Sequence, residues 1–131
     1  METADRLSSL IEALENTDTY DRENALIDLY IFLVSQKCDL PQSGNTFAFI
    51  ELSKWRDCSL RDGVEAYYET TSADELLHLE ERMERCSSQE VCRKWIAGSH
   101  IYQESGDLTS LDTWIFENEW RINDYLVELT G

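Results

Sequence analysis

Residues able to do acid–base or nucleophilic chemistry are few in this 131-residue chain, and their spacing is uninformative. There are two histidines, His78 and His100. The run "HLEER" from His78 lacks the second histidine that would make a zinc-binding HExxH helix. "GSH" (Gly98 to His100) lacks the flanking pattern that exposes a serine nucleophile on a strand-to-helix turn. No phosphate loop or dinucleotide fingerprint occurs, and His78 is expected on a helix flank. Cys38, Cys58, Cys86 and Cys92 are separated by 19, 27 and 5 residues, with no CxxC pair and no histidine at a ligand spacing. Reduced, mostly buried thiols are the expected state, and no disulfide framework is expected. Asp62, Glu65 and Glu69 fall on one helical side and could offer oxygen ligands to a hard cation. A solvated helix face accounts for them equally well. The expectation is a protein without catalytic residues, metal or cofactor, and not an enzyme.

Charge is the informative feature. Twenty-seven acids face eleven Lys and Arg, a net of −16. Such a surface repels nucleic acid, anionic membrane and acidic substrates, and favours basic partners. Solubility alone is the plainer explanation. The acids are unevenly placed: residues 1–35 and 101–131 each carry a net of −6, against −4 for the longer stretch 36–100. If the two ends lie side by side, they form one strongly negative surface. The start, "METADRLSSL", has neither a basic n-region nor a long apolar run, so no secretory signal is expected. "LYIFLV" (Leu29 to Val34) is too short to span a bilayer, and a cytoplasmic protein is expected.

The elements that must carry these residues read as helices. Leu7, Leu10, Ile11 and Leu14 form one face of a first helix ending near Asn16. "DRENALIDLYIFLVSQK" reads as a second helix, apolar nearly all round at Leu29 to Val34 and therefore expected in the core. "CDLPQSGNT", with the only proline, is the clearest loop. Ser72 with Glu75 three residues on has the form of a capping box, followed by Leu76, Leu79 and Met83 as a core face. Ser88 is the expected cap, and Gly106 the stop, of a helix carrying Val91, Trp95 and Tyr102. The expectation is a single all-α domain over residues 1–131, a bundle of six or seven helices. A short strand near residues 47–56 is the one exception that periodicity allows.

The last helix is expected from Ser110 to Gly131, capped by Thr109 or Ser110. On a helical wheel Leu111, Trp114, Ile115, Ile122, Tyr125, Leu126 and Leu129 share one face, and Phe116, Trp120 and Val127 share the opposite one. Two apolar faces imply a helix running through the middle of the protein, or else a second face reserved for self-association or a partner. Between them runs an acidic row of Glu117, Asp124 and Glu128, with Arg121 in line and expected to be reached by Glu117. This row stays exposed at the edge under either packing.

Like charges four residues apart cost a helix a few tenths of a kcal/mol each. Glu80 with Glu84, and Asp124 with Glu128, are such pairs. Helix neighbours at this spacing have Cβ atoms about 5–6 Å apart, and duplex phosphates rise about 3.4 Å per step on each strand. Carboxylate rows on that scale can stand in for phosphates before a protein built to bind DNA. The stretches "LRDGVEAYYETTSADEL" and "TSLDTWIFENEWRINDYL", with two helices between them, resemble a family of small, acidic, all-helical domains. Its best-characterised member is a bacterial DNA mimic, and the resemblance covers roughly Leu26 to Thr130. The aromatic pair of the pattern falls on Tyr67 and Tyr68. The family's Asn-Gly-Gly turn is replaced by Arg61, Asp62 and Gly63, so no site at that turn is carried over.

What the resemblance implies is a protein that inhibits or regulates a basic DNA- or RNA-binding protein by mimicry. Transcription regulators, nucleoid proteins, nucleases and defence effectors such as a CRISPR complex are candidate partners, and the chain itself binds neither nucleic acid nor membrane. The expected contact residues are Asp18, Asp21, Glu23, Glu117, Asp124 and Glu128, with Glu80 and Glu84 as second choices. The alternative is an immunity-type or housekeeping interaction module with incidental acidity, anchored on Phe116 and Trp120. Homodimerisation is a further expectation.

Overall fold

The computed structural model describes residues 2–15, 18–42 and 44–131, and these form an all-α protein with eight helices and no strand among them. The helices are α1 (Glu2–Glu12), α2 (Thr19–Gln36), α3 (Gly44–Asp62), α4 (Val64–Glu69), α5 (Ala73–Met83), α6 (Glu90–Gln103), α7 (Thr109–Glu117) and α8 (Glu119–Leu129). Short 3₁₀ turns follow α1 at Ala13–Glu15 and α5 at Glu84–Cys86. The expected end of the first helix, Asn16, lies outside the described residues. No helix among the described residues is long and apolar enough to cross a membrane.

Two compact units are distinguishable, Met1–Ile50 with Asn123–Gly131, and Glu51–Ile122. In the first, Leu10 and Leu14 are buried beside Ala25, Leu26, Leu29 and Leu33 of α2, and Tyr125, Leu126 and Leu129 of α8 are buried too. Asp18 starts α2 by accepting a hydrogen bond from the backbone N–H of Asp21 (3.1 Å). Lys37, in the left-handed conformation at φ 52°, ends it. The expectation that α2 is buried all round is corrected: Leu29 and Leu33 are buried, whereas Ile31 is 55% and Val34 46% exposed. An all-apolar hexapeptide on a helix must cover every direction of the wheel, and only one side meets the core.

The strand allowed near residues 47–56 is likewise corrected, because the segment lies inside the 19-residue α3. Its buried positions, Phe49, Leu52, Ser53, Arg56 and Ser59 with Ala48 and Trp55, follow the helical period. The buried Ser53, Arg56 and Ser59 hid that period from a reading of apolar residues alone.

The second unit is organised around α4 and α6. Gly63, at φ +93°, makes the turn between α3 and α4 in a conformation that side chains rarely adopt. The first N–H of α4, on Val64, donates to Asp112 Oδ1 of α7 at 2.7 Å, so a distant residue caps this helix. Asp112→Ala should therefore lower stability by about 1 kcal/mol, the usual worth of a cap, while Asp112→Asn keeps the acceptor and most of the stability. Urea midpoints of the two variants check this.

Ser72 caps α5 as expected, accepting from the Glu75 N–H (3.3 Å). Helix α6 starts from Gln89 rather than Ser88, and Gln89 makes no side-chain cap. At its other end Ser105 takes the left-handed position (φ 57°), and the Gly106 N–H reaches back to the Ile101 carbonyl (2.7 Å). The expectation of four reduced thiols is also corrected. Cys86 and Cys92 form a disulfide (Cα–Cα 5.9 Å), while Cys38 and Cys58 are free. The turn between α5 and α6 returns the chain so tightly that thiols six positions apart face each other.

The single long helix expected from Ser110 to Gly131 is two helices. Asn118 breaks it, with its own N–H and side-chain amide both donating to the Trp114 carbonyl at 2.9 Å. An asparagine amide in competition with the backbone is a standard way to end a turn. Its φ of −118° stops α7, and α8 restarts at Glu119.

Candidate protein-binding surface

The acids expected to make contacts divide between the two units. Asp18, Asp21, Glu23, Asp124 and Glu128 belong to the first; Glu80, Glu84 and Glu117 belong to the second. Asp18, Asp21, Glu84, Glu117, Asp124 and Glu128 are exposed, and Glu23 is half-buried.

In the first unit, Arg22 Nη2 pairs with Asp124 Oδ1 at 2.7 Å. This bridge ties the first turns of α2, with Asp18, Asp21 and Glu23, to α8 with Asp124 and Glu128. Segments far apart in the chain thus contribute acids to one unit. That unit holds eleven acids against Arg6, Arg22 and Lys37. A cleft of about 410 Å³ between α1 and α2 adds Glu12 and Asp28 beside Asp21 and Asn24. Sequence reasoning missed these two, although Asp28 stands seven residues after Asp21 on the same helical side. Tyr125 lies nearby in sequence, and its phenol is pushed up by burial and by the Glu128 charge.

Glu80 is a correction. It is buried, and its Oε1 accepts from Ser99 Oγ (2.6 Å) and Gln103 Nε2 (2.8 Å), while Oε2 lies 3.3 Å from His100 Nε2. A carboxylate engaged in this way fastens α5 to α6 and is not available to a partner. A signal existed: Glu80 shares the i, i+4, i+7 stripe with Leu76 and Met83, both fully buried. Ser99 Oγ donates to Glu80, and His100 lies against the other carboxylate oxygen, so these side chains clasp α5 to α6. His78 is exposed on α5, as expected for a flank.

Elsewhere in the second unit, Phe116 and Trp120 are 75% and 58% exposed. The central placement expected for this part of the chain is therefore corrected: the face carrying these rings is outward. Arg121 stacks over the Trp120 ring at 5.1 Å and pairs with Glu90, not with Glu117. Asp62 pairs with Arg61 (2.8 Å), and Glu65 and Glu69 line a cleft of about 600 Å³ with Tyr102 and Gln103. Among the described residues no group of three or more His, Cys, Asp or Glu could hold a metal ion.

A buried polar chain sits behind α4. Trp95 Nε1 donates to Tyr67 Oη (3.1 Å), Tyr67 donates to Glu51 Oε2 (2.5 Å), and Lys54 pairs with Glu51 Oε1 (3.3 Å). Tyr68 Oη accepts from Trp55 Nε1 (3.0 Å) and donates to the Trp95 carbonyl (2.7 Å). The aromatic pair after the glycine turn is thus structural, held edge-on to itself and to Trp95.

These features define an all-α acidic protein whose exposed carboxylates outnumber its cations. Compared with known proteins, the chain matches no family model, no curated protein and no solved structure.

Proposed function

We propose that this is a binding protein that inhibits or regulates a basic nucleic-acid-binding protein by offering DNA-like negative charge. The observation carrying this reading is the Arg22–Asp124 bridge, which brings acids of the chain's two most acidic stretches into one unit. A surface of fixed carboxylates supplies acceptors where a DNA-binding protein expects phosphate oxygens, and it speeds encounter with a positive patch. The partner class is a transcription regulator, a nucleoid protein, a nuclease or a defence effector, in line with the resemblance of the glycine turn, the aromatic pair and the last helices to a DNA-mimic family.

The test begins with capture of the partner at low salt and its release at high salt, followed by competition against labelled duplex. Neutralising Asp18, Asp21 and Glu128 to Asn, Asn and Gln keeps shape and, at Asp18, keeps the helix cap. Each lost contact is expected to weaken binding by about 0.5–1 kcal/mol, so the triple variant should bind roughly tenfold or more weakly and with a shallower salt dependence. Affinity for the basic partner unchanged in that variant would refute the mimicry. A second reading has its own observation in the outward Phe116 and Trp120. An interface anchored there would resist salt and fail on Trp120→Ala.

A further inference from the structure

We propose that the outward face of α2 is a self-association surface on which a second copy of this chain packs antiparallel. Tyr20, Ile27, Ile31 and Val34 stand at i, i+7, i+11 and i+14, within a narrow arc of one helix, and are 73%, 39%, 55% and 46% exposed. The opposite face of the same helix, Leu26, Leu29 and Leu33, fills the core of the first unit. A helix apolar on two sides with one side uncovered exposes a strip roughly 21 Å long, at 1.5 Å per residue. With the exposed Asn24 between Tyr20 and Ile27, the strip runs at the 4, 3, 4, 3 spacing of a helix–helix seam.

The occupant follows from the charges flanking the strip. On one flank stand Asp21, Asp28 and Ser35; on the other stand Glu23 and Tyr30, with Lys37 closing the helix at the end of that flank. An antiparallel copy sets Ile27 against the partner copy's Ile31 and Glu23 against its Lys37, and the two-fold repeats both contacts. A parallel copy would set Glu23 against Asp28, like against like, twice over. Flanking charges of this kind select orientation in paired helices. Antiparallel packing still places Asp28 beside its own copy, and each chain brings a net of −16. Added salt must therefore strengthen the pairing, the reverse of its effect on a basic partner.

Sedimentation equilibrium of the full chain over a range of concentrations, at low and high salt, tests the proposal. The expected result is a reversible dimer that tightens with salt. Ile31→Asp should loosen it at least about tenfold, since it buries a carboxylate with no partner, while the helical circular-dichroism signal stays unchanged because the site is exposed. Glu23→Lys should also loosen it, and Glu23→Lys with Lys37→Glu should restore it. A monomer at every concentration in high salt overturns the proposal, as does a dimer indifferent to Ile31→Asp. A failed charge exchange overturns the antiparallel register. The readout is mass alone, so it does not depend on mimicry being correct.

Discussion

Gly98→Ala should destabilise the protein by about 3 kcal/mol, although alanine is the better helix former by about 1 kcal/mol. Gly98 is buried on α6, and a Cβ there would lie 2.3 Å from Tyr68 Oη and 2.4 Å from Leu111 Cδ2. Neither distance is tolerable, so something must move. Leu111 could change rotamer. Tyr68 cannot retreat freely, because its hydroxyl is held by the Trp55 indole and the Trp95 carbonyl and its ring is fully buried. Moving it breaks buried hydrogen bonds worth about 1–3 kcal/mol on top of the overpacking. Urea denaturation should show a lower midpoint with an unchanged slope. In a Tyr68→Phe background the nearest atom is gone, so the same substitution should cost less there, a coupling that a double-mutant cycle reads directly. Equal or higher stability for Gly98→Ala would contradict the close packing of α6 on Tyr68.

Much of this arrangement could be read from the residues. The helical class, the Ser72 cap and the exposure of Glu117, Asp124 and Glu128 all follow from local pattern, because caps and edge positions depend on neighbours within a turn or two. What could not be read was settled over long separations. The acceptor for the Val64 N–H is Asp112, 48 residues away, and that of Tyr67 is Glu51, 16 residues away. Nothing in the spacing of these residues announces the pairing. The break at Asn118 is an intermediate case. Asparagine is a weak helix former, but seven apolar residues shared one wheel face across it, and the wheel assumes a continuous helix. Glu80 failed for the opposite reason: its helix position was right for burial, and its charge argued against it until Ser99, Gln103 and His100 were seen to satisfy it.

The same contrast bears on the candidate surface. Acids at the chain's two ends looked like one surface only on the condition that the ends meet, and Arg22 is the residue that meets Asp124. A lone arginine in an acidic run reads as a local compensator for Asp21 or Glu23. Its reach to α8 makes it instead the link between the two acidic segments. Arg22→Ala would then have two consequences of opposite sign, a more negative surface and a less firmly held α8.

Alkaline pH should unfold the protein earlier than its overall charge alone would suggest. Burial pushes the Tyr67 phenol well above its ordinary value, and the adjacent Glu51 charge pushes it further. Burial likewise raises Tyr68, aided by the charge of Glu80 and opposed by the hydrogen bond from Trp55. In the unfolded chain both phenols ionise near the ordinary value of about 10. Above that pH the unfolded state has released protons that the native state still holds, so stability falls as pH rises. Below it, both states are protonated at these groups and their contribution is fully present. Each group retained against its unfolded value costs about 1.4 kcal/mol per pH unit, so the pair should cost about 2.7 kcal/mol per unit above pH ~10. Domains of this size are held by only about 5–15 kcal/mol, so two units suffice to remove a large part of it. Denaturation midpoints between pH 8 and 12 should be flat at first and then fall steeply. Phenolate absorbance from two tyrosines should appear only with unfolding. Tyr67→Phe should start from lower stability, since it leaves the Trp95 N–H without its acceptor, yet show about half the alkaline slope. A native protein whose tyrosines all titrate near 10 with no loss of helix would show that Tyr67 and Tyr68 are not the sealed pair their hydrogen bonds describe.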